Sequence, residues 1–77
     1  MPIVNVKLIE GVFSPEQKRQ MIERITDAMV SVEGERMRGL TTVIVEDVES
    51  GAWGIAGRPV TAELVKEVQS GKQKPPG

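Results

Sequence analysis

Residues 3–17 read IVNVKLIEGVFSPEQ, a stretch that predicts a strand, a turn and the start of a helix. Over residues 3–9 the side chains alternate with period two, which is typical of a strand that is covered on one side. One face is aliphatic, whereas the other mixes apolar and polar side chains. The aliphatic set is Val4, Val6 and Leu8, and the mixed set is Ile3, Asn5, Lys7 and Ile9.

The helix start is marked by Ser14, Pro15 and Gln17. Ser14 is the expected N-cap, Pro15 suits the first helical position, and Gln17 can complete a capping box from the third position. Apolar residues then recur at helical spacing, which predicts an amphipathic helix from Pro15 to Val32. The apolar positions are Met21, Ile22, Ile25, Ala28, Met29 and Val32.

A polar loop is expected over residues 33–39, followed by a second strand over residues 40–48, which is rich in β-branched side chains. A strand, a helix and a strand joined by short connections predict a right-handed βαβ unit with parallel strands. The helix covers only one face of such a two-stranded sheet. The uncovered face predicts self-association, because it is not stable alone in water.

The last part of the chain is rich in glycine around the only tryptophan, Trp53. This spacing predicts tight turns and a short hairpin. Thr61 then caps a short helix over residues 62–68. We therefore expect one α+β domain over residues 1–68, and a disordered tail over residues 69–77, which is polar and ends in proline.

Composition narrows the chemistry that this chain can perform. Its 77 residues carry a net charge of −1 and include neither histidine nor cysteine. Disulfides, thiolate nucleophiles and imidazole bases are therefore excluded, and no metal site is expected. Basic residues form no stripe, and no apolar run approaches the roughly 18 residues of a membrane span. We expect a cytoplasmic protein that binds neither nucleic acid nor membranes.

Pro2 is the residue that offers chemistry in the absence of histidine. If Met1 is removed, Pro2 becomes an N-terminal secondary amine, and an ordinary α-amino group has a pKa of about 7.7 to 8. Such an amine can act as a general base near neutral pH. The alternative is that Met-Pro is simply how the chain begins.

The ordered set of motifs resembles the 4-oxalocrotonate tautomerase family over residues 2–68. The motifs are Met-Pro-Ile at the start, Leu-Ile-Glu-Gly at the end of the first strand, Ser-Pro-Glu-Gln-Lys at the helix start, and Trp-Gly-Ile-Ala-Gly after the second strand. The resemblance implies a β-α-β protomer with a C-terminal hairpin, dimers that share a four-stranded sheet, and a hexamer of three dimers. It also implies that Pro2 transfers a proton within an enol or dienol acid, without a cofactor.

Two departures from the family pattern concern the residues that hold the substrate. The family arginine after the first strand is replaced by Val12, and the family arginine early in the second strand aligns with Thr41-Thr42-Val43. The aromatic wall of the pocket corresponds to Trp53. Arg38 and Arg58 are the candidate substitutes for the lost cations, because a guanidinium can bind a carboxylate through two hydrogen bonds.

Four functional hypotheses remain open from the sequence. The leading one is a tautomerase that acts on a small enol or keto acid and assembles as a homohexamer. The second is a hydratase or dehalogenase that uses the same amine of Pro2. The third is a non-catalytic or partner-dependent subunit of a hetero-oligomeric tautomerase, which the missing arginines suggest. The fourth is a plain assembly or binding module.

Overall fold

A computed structural model describes residues 1–71 of the chain. These residues form two compact units. Unit 1 contains residues 1–7 and 14–46, and unit 2 contains residues 8–13 together with the described residues from 47 onward. The predictions made for residues 72–77 lie outside the described residues.

The order of elements confirms the α+β class, the β-α-β arrangement and the C-terminal hairpin. The first strand and the first helix begin where the sequence predicts. The elements are β1 (Ile3–Ile9), α1 (Pro15–Glu33), a 3₁₀ helix (Glu35–Leu40), β2 (Thr42–Val48), β3 (Trp53–Ile55), β4 (Arg58–Val60) and α2 (Ala62–Gln69).

Strands β1 and β2 pair directly in one sheet. The backbone N–H of Thr42 donates to the carbonyl of Pro2 at 3.1 Å, and that of Glu10 donates to the carbonyl of Val48 at 2.7 Å. The two strands therefore begin together and end together, so they are parallel. The hydrogen-bond pattern of a parallel ladder then places Thr42 opposite Ile3.

The capping box at the start of α1 is confirmed. The N–H of Gln17 donates to Oγ of Ser14 at 3.1 Å, and the N–H of Ser14 donates to Oε1 of Gln17 at 2.9 Å. At the other end, Gly34 adopts a φ of 103° and its N–H donates to the carbonyl of Val30 at 2.8 Å. Glycine suits this position because a positive φ carries no side-chain clash there.

The prediction of which α1 residues are covered is wrong for the last turns of the helix. Val32 is 88% exposed, and Ala28 is exposed as well, whereas Val30 is 5% exposed and was not predicted to be buried. The covered stripe of the helix turns toward Thr26 and Val30, so Val32 lies at its edge. This rotation depends on what packs against the helix and not on the spacing of apolar residues alone.

The segment between α1 and β2 also differs from the prediction. Residues 35–40 form a 3₁₀ helix instead of a loop, and β2 begins at Thr42 instead of Leu40. Ion pairs of Arg38 with Glu35 and with Asp27 of α1 stabilise this segment. The second of these ion pairs joins residues that are far apart in the sequence, so local patterns do not predict it.

Unit 2 contains the predicted hairpin and the second helix. Strands β3 and β4 are antiparallel, with Trp53 opposite Val60, and a two-residue turn formed by Ala56 and Gly57 joins them. Both turn residues have positive φ, 53° and 77°, as the commonest hairpin turn requires. Val60 is only 2% exposed. Helix α2 includes Gln69, which the sequence had assigned to the tail.

We expect Ser14→Ala to lower the free energy of unfolding by about 1 kcal/mol, because it removes the N-cap acceptor of α1. The matched control is Ser31→Ala, since Ser31 is also exposed on α1 but donates only to the carbonyl of Ala28. Urea unfolding should be followed at one fixed protein concentration, because assembly makes stability depend on concentration. Equal effects of the two substitutions would contradict the capping role.

Candidate active site

Pro2 lies directly before β1 and is half-buried. Its carbonyl accepts the hydrogen bond from Thr42 that begins the β1–β2 ladder. In the structure Met1 precedes it, so the Pro2 nitrogen is an amide there. Met1 is 86% exposed and is therefore accessible for removal, which would leave a secondary amine at the start of the sheet.

The exposed face of the sheet in unit 1 carries a small hydrogen-bonded network. Asn5 donates to Oε1 of Glu46 at 2.9 Å, and Lys7 donates to Oε2 of the same carboxylate at 3.3 Å. The hydrogen bond from Asn5 and the pairing with Lys7 hold the pKa of the Glu46 carboxyl below its usual range. Ile3, 67% exposed, and Ile44, 39% exposed, lie on the same face as this network.

Arg38 is occupied by carboxylates of its own chain. Its Nε and Nη2 donate to the two carboxylate oxygens of Glu35 at 2.7 and 3.2 Å, and its Nη1 donates to Asp27 at 2.8 Å. These hydrogen bonds raise the pKa of the Arg38 guanidinium and lower the pKa of Glu35. A shallow groove beside it also contains Glu23. Acidic side chains outnumber basic ones here, so the surroundings of Arg38 favour a structural role over anion binding.

Trp53 and Arg58 belong to one hairpin of unit 2. Trp53 is half-buried on β3, and Arg58 is exposed on β4, where it lies opposite Ile55. Residues that pair across a ladder project from the same face, and so do residues two apart along a strand. Trp53, Ile55 and Arg58 therefore share one face of the hairpin. Within residues 1–71, no carboxylate pairs with Arg58.

The positions that align with the missing family arginines differ in the burial and the hydrogen bonds of their side chains. Val12 is half-buried in unit 2. The hydroxyl of Thr41 lies 2.8 Å from both the carbonyl oxygen of Met37 and Oε2 of Glu33. Thr42 is exposed, and its hydroxyl has no hydrogen-bond partner in the described part of the chain. Local sequence patterns assign Thr42 no role, although the register of a parallel ladder places it next to Pro2.

Acidic side chains in residues 1–71 form no group of three or more that could hold a metal ion. Neither helix in the same range is long and apolar enough to span a bilayer.

The chain is similar to known tautomerases in both sequence and structure. It is 38% identical over 61 residues to a probable tautomerase of Dickeya dadantii, a match that covers 79% of this chain and 90% of the relative. It is 37% identical over 62 residues to a probable tautomerase of Helicobacter pylori, covering 78% of this chain and 90% of that one.

Solved structures agree with these sequence matches. A 4-oxalocrotonate tautomerase isozyme of Methylibium petroleiphilum matches with a TM-score of 0.67 at 37% identity, covering 83% of this chain and 97% of that one. TomN, a 4-oxalocrotonate tautomerase homologue of the tomaymycin biosynthetic pathway, matches with a TM-score of 0.69 at 27% identity, covering 91% and 98%. The fold is thus that of the small 4-oxalocrotonate tautomerase homologues.

The model of the tautomerase enzyme family matches residues 2–63, which include Pro2 and the whole β-α-β unit. The chain belongs to the tautomerase family.

The Glu46 network should make stability depend on acid pH. Because Asn5 and Lys7 lower the pKa of Glu46 in the folded state, their contribution is present above the ordinary carboxyl pKa of 4.5 and is lost as the pH falls through the lowered value. We expect Glu46→Gln to lose less stability than the wild type between pH 7 and about pH 3. Glu67→Gln, at an exposed glutamate of α2, should follow the wild type. Parallel acid profiles of Glu46→Gln and the wild type would contradict the role of the network.

Proposed function

We propose that this chain is a cofactor-independent tautomerase, an isomerase that moves a proton within an enol or dienol carboxylic acid. The position of Pro2 carries the proposal, because this residue follows Met1 directly and begins the sheet of a tautomerase-family chain. The absence of histidine and cysteine from all 77 residues supports the same assignment. The terminal amine is then the group best suited to exchange protons near neutral pH.

The proposed reaction needs one group that first accepts and then returns a proton. The unprotonated amine of Pro2 removes the proton from the enol hydroxyl, and the oxygen electron pair forms the carbonyl as the double bond shifts. The Pro2 ammonium then donates a proton to the carbon at the end of the shifted π system. Every atom of the substrate is retained, so neither an oxidant nor a metal is needed for the balance.

Trp53 and Arg58 are the proposed substrate contacts. An exposed guanidinium without a carboxylate partner in residues 1–71 can bind a substrate carboxylate through two hydrogen bonds. An indole on the same face of the hairpin supplies an apolar wall for the substrate. Arg38 is the weaker candidate, because it would have to release Asp27 and Glu35 to bind a substrate.

Assembly and cellular location are also part of the proposal. We propose that two protomers share a four-stranded sheet and that three such dimers form a homohexamer, in which the exposed sheet faces are covered. The exposure of Ile3 and Ile44 on one face supports this, because exposed apolar patches mark interaction surfaces. A cytoplasmic location is consistent with a chain that contains no cysteine.

The second candidate function is a subunit that completes the site of an arginine-bearing partner. Val12 and the stretch Thr41-Thr42-Val43 favour it, because both stand where the resemblance expects a cation. This candidate requires the purified chain to be inert until a related tautomerase subunit is added. A hydratase or dehalogenase that uses Pro2 is a further form of the first proposal, and it requires the amine to stay protonated at the working pH.

The first experiment combines intact mass with an assay of phenylenolpyruvate and 2-hydroxymuconate ketonisation. Loss of the mass of Met1, with turnover that falls by 100-fold or more in Pro2→Ala, is the expected result, since general bases typically contribute about 10²- to 10⁴-fold. A processed chain that is inert alone but active with a second subunit would support the second candidate. Turnover by a chain that retains Met1 would refute catalysis by the Pro2 amine.

Arg58→Gln should raise KM for the carboxylate substrate by roughly 10- to 100-fold, because a hydrogen bond to a charged group contributes about 1.5–3 kcal/mol. The matched control is Arg24→Gln, which removes an exposed arginine from α1. Initial rates over a range of substrate concentrations separate KM from kcat. An unchanged KM in Arg58→Gln would remove Arg58 from the proposed site.

A further inference from the structure

We infer that Ser50 is a positioning residue for substrate binding, because it holds in place the hairpin that carries Trp53 and Arg58. This inference rests on the proposed function, in which Arg58 binds the substrate carboxylate. Ser50 is exposed and lies in the turn between β2 and β3. Neither local sequence patterns nor the resemblance assign it a role.

The hairpin formed by β3 and β4 has few hydrogen bonds of its own. Its ladder consists of three residue pairs, and the middle pair contains Pro59, which has no N–H to donate. An isolated two-stranded hairpin is at best marginally stable in water. The position of Arg58 therefore depends on what holds the base of the hairpin, where β3 begins and β4 ends.

Two hydrogen bonds close the base of the hairpin. The backbone N–H of Gly51 donates to the carbonyl of Val60 at 3.1 Å. The N–H of Ala62 donates to Oγ of Ser50 at 2.9 Å. The first bond joins two backbone groups, whereas the second needs a side-chain acceptor at position 50. Ser50 therefore ties the turn before the hairpin to the helix after it.

Ala62 is a well-packed anchor for this hydrogen bond. It is 8% exposed, and a Cβ placed on Gly11 would lie 3.5 Å from its Cβ. As the first residue of α2, Ala62 has an N–H that finds no acceptor within its own helix. The hydroxyl of the N-cap, Thr61, accepts instead from the N–H of Leu64 at 3.2 Å. The bond to Ser50 thus connects the hairpin to a packed part of unit 2.

The hydrogen bond of Ser50 acts on Arg58 through the orientation of the hairpin. Arg58 follows the turn at the far end of the hairpin and lies two residues from Val60, about 7 Å along β4. A change of angle at the base therefore moves its guanidinium. Because the apparent affinity of a ligand falls with the fraction of the protein that is competent to bind, a hairpin that is less often in place binds substrate more weakly.

The test measures KM and kcat for phenylenolpyruvate with the full chain, after removal of Met1 has been confirmed by mass. In Ser50→Ala we expect KM to rise by roughly three- to tenfold, as loss of one hydrogen bond predicts. We expect kcat to stay within about twofold, because a bound substrate itself holds Arg58. Ser50→Thr keeps a hydroxyl acceptor and should recover most of the lost affinity.

The matched control is Ser70→Ala. Ser70 is also exposed in unit 2, but its hydroxyl donates to the carbonyl of Glu67 in the preceding turn of α2. This substitution should leave KM unchanged. Light scattering compares the assembly state of each variant with that of the wild type. A different assembly state in Ser50→Ala would assign Ser50 to assembly and overturn the inference.

A double-mutant cycle distinguishes positioning of Arg58 from a general structural effect. In Arg58→Gln the guanidinium that Ser50 positions is absent, so adding Ser50→Ala should change KM by less than about twofold. An equal rise of KM in both backgrounds would overturn the inference.

The fluorescence of Trp53 reports on the hairpin without depending on turnover, because Trp53 is the only tryptophan of the 77 residues. Acrylamide should quench it more strongly in Ser50→Ala than in Ser70→Ala, since a hairpin that is less firmly held exposes its half-buried indole. Equal quenching in the two variants would contradict the positioning role.

The outcomes distinguish this inference from the proposed function. A rise of KM in Arg58→Gln without any change in Ser50→Ala would overturn the inference alone. An unchanged KM in Arg58→Gln would overturn the substrate contact and the inference, but not catalysis by Pro2. Absence of Pro2-dependent turnover would overturn the proposed function and the inference with it.

Discussion

The hydrogen bond from the Thr42 N–H to the Pro2 carbonyl is the contact on which the candidate chemistry depends. This bond, 3.1 Å long, is the first of the parallel ladder. It holds Pro2, the residue directly before β1. Within the chain, proline has no N–H to donate to the ladder, so the sheet contacts Pro2 only through its carbonyl. If Met1 is removed, as proposed, the resulting secondary amine is positioned by the fold through the neighbouring carbonyl and can exchange protons.

The basic residues divide into those that stabilise the fold and those that remain available for a ligand. Arg38 joins the 3₁₀ helix to α1 through Glu35 and Asp27, and Lys7 is paired with Glu46 across the sheet. Exposed ion pairs of this kind contribute little free energy each, but they remove the charge that an anionic substrate would need. Arg58 is different, because in residues 1–71 no carboxylate neutralises it. Counting arginines in the sequence does not reveal this division, since it depends on which carboxylates the fold brings near.

Local signals in the sequence predicted the elements well, and contacts between distant residues decided the rest. The bounds of β1, the capping box of Ser14 and the hairpin after Trp53 follow from residues within a few positions of one another. The 3₁₀ helix and the exposure of Val32 depend on ion pairs and packing across the fold, so periodicity missed both. The candidate site shows the same contrast: the position of Pro2 is evident from the sequence, whereas the pairing of Lys7 with Glu46 depends on strand register.

The composition of the exposed sheet face bears on assembly as well as on the candidate site. Burying an unpaired carboxylate would oppose the association of two such faces. Glu46 already accepts hydrogen bonds from Asn5 and Lys7, so this carboxylate enters an interface with both oxygens satisfied. Ile3 and Ile44 then contribute apolar area on the same face. The network therefore lowers the cost of covering this face when protomers assemble.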